Sequence, residues 1–187
     1  QLAAISTAGV QAMTSAQTQA LTTEHVAALG TEQVAALNTA NIRFLSAGHI
    51  EALATGQIAA LTTAQATVLT TQQLAALSTE HTTAIETADL AALSAAQVVS
   101  LGAANAAALT TDQVVALTTA QVAGLSTAQV AALSSEQPSA MEVTDVRALT
   151  TAQAAVLDST QAAGLTTAQI AALSTANVRA MSDSTLA

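Results

Sequence analysis

An aliphatic residue returns every eight positions from Ile5 to Met181, 23 times without exception. Eighteen of these residues are leucine, and all three methionines of the chain fall in the same frame. In a continuous α-helix eight residues advance about 80° beyond two full turns, so such a row would spiral around the helix and form no stripe. A long amphipathic helix and a coiled coil are therefore excluded. The chain has to be built from a unit that repeats every eight residues.

With the aliphatic residue as position one, position two is Ser or Thr in 16 of 23 octads, and Asn38, Asp158, Gly30 and Gly102 are among the exceptions. Position five is Gln in 13, and the rest are chiefly His, Asn or Asp. Ser/Thr-x-x-Gln is a capping box: the hydroxyl takes the backbone N–H of the third helical residue, and the amide returns to the N–H of the cap. Thr22, Ser78, Thr118, Ser126, Thr166 and Ser174 read as caps, with Gln121, Gln129 and Gln169 as partners. Glu24, Glu32, Glu80, Asp112 and Glu136 occupy position four, in the first turn, where the helix dipole favours negative charge. Each octad thus predicts a helix start, a helix of about six or seven residues, and a sharp turn at positions one and two. So short a helix is marginal alone and has to stack on its neighbours.

Positions six and one lie three apart within such a helix and share a face, which places them in the core. The expected core includes Leu21, Leu29, Leu37, Leu61, Leu109, Leu117, Leu125, Leu133, Leu165 and Leu173. Position eight is Ala in 16 of 22 octads and Gly at Gly124 and Gly164, small enough for close backbone approach. Position seven carries Arg43, Arg147 and Arg179 and so faces outward. The expected fold is all-α: a single-layer α-solenoid of about 23 octads over residues 1–187, with three or four octads per superhelical turn. A β-solenoid is the alternative, since an even period also fixes the face of a strand, although alanine is depleted in strands. A bend is expected at residues 134–149, where Pro138 replaces the core aliphatic and removes a first-turn N–H, and Glu142 stands at a cap position. Phe44, at an alanine position, either fills a local gap, the favoured reading, or marks a contact patch.

Composition narrows the function. Charged residues are 8% of the chain and its net charge is -9, with three arginines and no lysine, which disfavours nucleic acid and anionic membranes as partners. No cysteine is present, and no run of apolar residues is long enough for membrane insertion. A chain that opens on Gln1 with no signal-like segment reads as a piece of something longer. His25, His49 and His81 are candidate metal ligands, but all three occupy position five, where a capping role accounts for them. No nucleophile–base or paired-acid arrangement stands out, so neither an enzyme nor a cofactor is expected. The regular surface feature is threonine at position three, which raises surface binding (ice, glycan or protein) as an alternative role.

The unit L-[ST]-T-x-Q-[VI]-A-A, as in Leu165 to Ala172, resembles the octapeptide arrays of very large secreted proteins of proteobacteria that are labelled adhesion or haem-utilisation exoproteins. The resemblance runs through essentially the whole chain. It implies a secreted or cell-surface bacterial setting. The repeat itself reads as a spacer, stalk or scaffold that joins neighbouring repeats of a longer protein, with room for a weakly adhesive face whose host or surface ligand is unknown. No haem-binding residues are carried over.

Overall fold

The protein is described by a computed structural model over residues 5–181. Among these residues the chain forms 22 α-helices of four to seven residues, from Thr7–Gln11 to Thr175–Ala180, and no strand. The helical reading holds and the β-solenoid alternative falls.

The octad explains the length of each helix. Leu117 at φ -61°, ψ 136° and Thr118 at φ -77°, ψ 154° are extended in succession, and two such residues turn the chain through a corner. The Leu117 N–H closes the preceding helix on the Val114 carbonyl at 3.2 Å, an i→i-3 bond that tightens the last turn. The next helix opens at once. Thr118 Oγ1 accepts from the Gln121 N–H at 3.3 Å, and Gln121 Oε1 accepts from the Thr118 N–H at 2.7 Å.

The residues fall into two compact units, Gln1–Leu93 and Ser94–Ala187. Within each, a helix packs on the third one after it: Thr31–Ala36 on Thr55–Ala59 in the first unit, Thr119–Gly124 on Val143–Ala148 in the second. Side-chain bonds recur at a separation of 28 residues, as from Gln57 Nε2 to the Leu29 carbonyl at 2.6 Å. One superhelical turn therefore takes 3.5 octads (28/8), and each unit is a single-layer α-solenoid.

Leu29, Leu37, Leu61, Leu109, Leu117, Leu125, Leu133 and Leu165 are all buried, as are Val26, Ile42, Ile50, Val114, Val122 and Val130 at position six. Each contributes about 1.5–3 kcal/mol relative to exposure. Leu21 and Leu173 are only half-buried, and Ile170 and Val178 at position six are 50% and 38% exposed. These four depart from the expected core because they lie in the outermost turns, where no described helix covers their far side. In the first unit the space left among Ile50, Ile58, Leu61, Leu74, Asp89 and Leu93 is about 10 Å³, near the lower limit for one water, so the interior is filled.

Glycine at position eight serves close approach. A Cβ on Gly164 would stand 2.5 Å from the Ser135 carbonyl oxygen, and one on Gly124 2.9 Å from Ala95 Cβ. Pro138 is buried in the helix Glu136–Ala140, which starts one residue late at Ser135, without a side-chain cap. The carbonyl of Ser134 there accepts from Gln137 at 3.3 Å, in place of the position-six N–H that proline lacks. Phe44 does not fill a gap as expected. It is 44% exposed, because position eight of that octad opens to solvent beside Arg43 and Val68.

Candidate functional site

The side chains that do most in this structure are those at position five, and they are buried polar groups. Gln57, Gln65, Gln73, Gln121, Gln129, Gln153, Gln161 and Gln169 are at most 4% exposed. Each carboxamide has an acceptor and a donor, and the fold uses both ends. Gln153 Oε1 accepts from the Thr150 N–H at 2.8 Å, closing the capping box. Its Nε2 donates to the carbonyls of Leu125 at 2.8 Å and Val122 at 2.9 Å, on the turn 28 and 31 residues earlier. The Val122 carbonyl already accepts from the Leu125 N–H at 3.2 Å, so the carbonyl that depends on Gln153 is that of Leu125, just past the end of the helix. One side chain thus starts its own helix and terminates another, stapling two turns together.

The inter-turn half of the staple recurs with asparagine, and both halves recur with histidine. Asn41 Nδ2 donates to the Met13 carbonyl at 2.6 Å and Asn177 Nδ2 to the Leu149 carbonyl at 2.9 Å. His49 Nε2 lies 3.0 Å from the Leu21 carbonyl and His81 Nε2 2.7 Å from that of Leu53. In both rings Nδ1 accepts the N–H of the cap, Ser46 at 3.2 Å and Ser78 at 3.4 Å, so the tautomer with hydrogen on Nε2 satisfies both contacts. His25 is exposed, and its Nδ1 accepts from the Thr22 N–H at 3.2 Å. The three histidines are not brought together: their spacings of three and four octads both miss the turn of three and a half. Among the described residues no group of three or more His, Cys, Asp or Glu is placed to hold a metal ion.

The remaining caps sit where the octad puts them. Thr22, Ser78, Ser126, Thr166 and Ser174 accept from the N–H three residues on at 3.0 to 3.3 Å. Gln129 and Gln169 return to their caps at 3.0 and 2.8 Å. Asp158 caps with a carboxylate, which the Thr160 hydroxyl (2.6 Å) and then the Gln161 N–H (2.8 Å) hold below the ordinary carboxylate pKa.

Two octads break the staple. Wherever position two is glutamate, position five is aspartate: Glu86 with Asp89, and Glu142 with Asp145. Neither glutamate makes a side-chain cap bond. Asp89 and Asp145 are 5% and 3% exposed and accept from the hydroxyls of Thr63 at 2.6 Å and Thr119 at 2.7 Å. A carboxylate accepts and does not donate. Among the described residues no hydrogen bond reaches the carbonyls of Leu61 and Leu117, which the staple would have served.

The outer surface is organised by the same turn of three and a half octads. A given position recurs in angular register only after two turns, or seven octads, so position three of one turn lies over position seven of the turn before. Threonines such as Thr23, Thr31, Thr39, Thr55 and Thr63 are exposed but spread around the circumference and form no flat column. Two places on the surface depart from the consensus. One is the shallow groove of Phe44, Arg43, Thr39, Ala40 and Val68. The other, of about 500 Å³ and open to solvent, is lined by Val115, Met141 and Val143 together with Glu142, Thr144, Thr166 and Gln169.

No helix among the described residues is long and apolar enough to cross a membrane. No curated protein and no solved structure matches the chain. A family model, the ALTTAQ repeat, matches it five times, over residues 1–31, 26–63, 83–119, 115–141 and 139–175. These matches take in most of the capping octads and most of the stapling residues, and they cover well over half of the sequence: the chain belongs to the ALTTAQ repeat family.

Proposed function

We propose that this chain is a structural repeat segment, a spacer, stalk or scaffold in a large bacterial surface or secreted protein. The observation that carries the reading is the position-five staple. It joins one turn to the turn before with the same bonds, as between Gln153 and Leu125, so a solenoid can be extended by repetition alone, its stability a sum of unit and neighbour terms. The buried polar side chains at position five serve this internal task, and serine and threonine serve capping, as suits a structural segment. The secreted or cell-surface setting rests on the resemblance to exoprotein octapeptide arrays. The net charge of -9 supports a segment that stays clear of nucleic acid and anionic membranes.

A weakly adhesive face is compatible with this role. The circumferential spread of the threonines weighs against ice or another flat lattice as the ligand, since such a surface needs a planar array. The test is to place the segment between two fluorescent reporter domains and compare it with a variant lacking seven octads from within one unit, a deletion that preserves angular register. A spacer shows a shorter reporter separation in the deletion variant and retains nothing on glycan arrays or ice. An unchanged separation, or strong retention by one ligand lost on replacing exposed position-three threonines with alanine, would replace the spacer reading with a binding one.

A further inference from the structure

Among the described residues of the first unit, Arg43 and Phe44 form an exposed patch that combines a cationic side chain with a large apolar group. Phe44 is the only aromatic residue of the chain, and Arg43 is the only Lys or Arg within residues 1–93. Phe44 is 44% exposed where the octad rule is alanine. An exposed aromatic beside a charge marks a contact surface more often than a structural need. One side of the ring lies against Ala40 and Val68 of its own chain, and the other is left to solvent.

The second unit carries a surface of the opposite character. Val115 stands where alanine is the rule and Val143 where threonine is the rule, and they are 48% and 36% exposed. Lying one superhelical turn apart, they come from stacked turns and flank the groove of about 500 Å³ over Met141. Glu142, next in sequence to Val143, lies at its edge and makes no cap bond. One patch thus offers an apolar knob with a positive neighbour, and the other an open recess that sets two valines among polar Thr144, Thr166 and Gln169, with a negative neighbour.

We propose that the chain associates with a second copy of itself, Phe44 of one copy seating in the Val115–Met141–Val143 groove of the other while Arg43 pairs with Glu142. In each patch the charged residue and the apolar one are neighbours in sequence, Arg43–Phe44 and Glu142–Val143. In a chain with net charge -9 that carries its only first-unit cation at this spot, the favoured partner surface is acidic, and the groove supplies it. The contact joins two different patches, so each copy keeps one knob or one groove unused after the first docking, and association continues unless a ring closes. The patch is small, which places the affinity in the weak, transient class.

Sedimentation equilibrium from about 10 μM to about 1 mM, the range in which weak contacts of this class are populated, tests the proposal. The expected result is a mass that rises above 18.4 kDa with concentration. Phe44→Ala and Val143→Thr restore the octad residue at exposed sites, so both keep the fold, checked by their helical circular dichroism. Each is expected to weaken association by about tenfold or more. Arg43→Glu is expected to do the same, and Arg43→Glu with Glu142→Arg in one chain to restore it. A mass that stays at 18.4 kDa throughout, or association unchanged in Phe44→Ala and Val143→Thr, overturns the proposal.

Discussion

At the scale of single residues, one side-chain position decides how this protein holds together. A buried amide with its acceptor on one helix and its donor on another is worth more than either bond alone, because losing it strands groups on two turns at once. Gln153→Ala leaves the carbonyl of Leu125 and the N–H of Thr150 without their partner and is expected to cost about 2–4 kcal/mol, read by chemical denaturation. Asp89→Gln is expected to move stability the other way, by about 1 kcal/mol, because it supplies the donor that the Leu61 carbonyl lacks. If the two substitutions shift stability in the same direction, the staple is not the relevant interaction. Asp158 gives a pH signature. Its carboxyl is held below the ordinary value by Thr160 and Gln161, so its contribution is present above the unfolded-state value near 3.8 and fades as pH falls through the lower folded-state value. Asp158→Asn should remove that acid-limb slope from the stability profile, while a profile identical to the parent would show that the cap bonds carry no linkage.

At the scale of the helix, the octad was legible in the sequence because its signals are local. Leu, Ser/Thr and Gln at positions one, two and five specify a corner, a cap and a return bond within four residues, and the structure places them there. The length of the superhelical turn was not legible, because it depends on the angle each corner introduces, and no residue type encodes that angle by itself. The second use of position five was partly visible. Its replacements His49, His81, Asn41 and Asn177 all offer both a donor and an acceptor, whereas a return bond to the cap requires only an acceptor. The joint change to Glu86–Asp89 and Glu142–Asp145 was a further sign that positions two and five act as a pair. Phe44 was misread because alanine at position eight suggests contact everywhere, while the opening at that octad is a property of the neighbouring turn. Glycine at position eight was read correctly as a place of close approach. Gly164→Ala puts a methyl 2.5 Å from the Ser135 carbonyl and is expected to lower the melting temperature, whereas an unchanged melt would mean that the turns separate freely there.

At the scale of the whole molecule, a repeat of this kind is stabilised turn by turn, and a charge driven into the core should act beyond its own octad. Leu109 is 4% exposed, so Leu109→Asp buries an unpaired carboxylate and is expected to cost several kcal/mol, broadening or splitting the thermal transition. A single transition at the parent temperature would contradict inward leucines. The central claim is the turn of three and a half octads, and a disulfide is the most direct way to test it. The natural chain has no cysteine, so a chain carrying Ala95→Cys and Gly124→Cys contains one possible bond, at a place where a Cβ added to residue 124 would stand 2.9 Å from that of Ala95, so the two turns part by roughly half an ångström to reach the disulfide separation of about 3.5–4.5 Å. Under mild oxidation in native buffer the account expects rapid, near-complete intramolecular closure, seen as a loss of two mass units and a mobility shift reversed by reductant. Cysteines that stay reduced in the folded chain, while Ala95→Cys closes readily with Thr119→Cys or Thr127→Cys at separations of three or four whole octads, would contradict it.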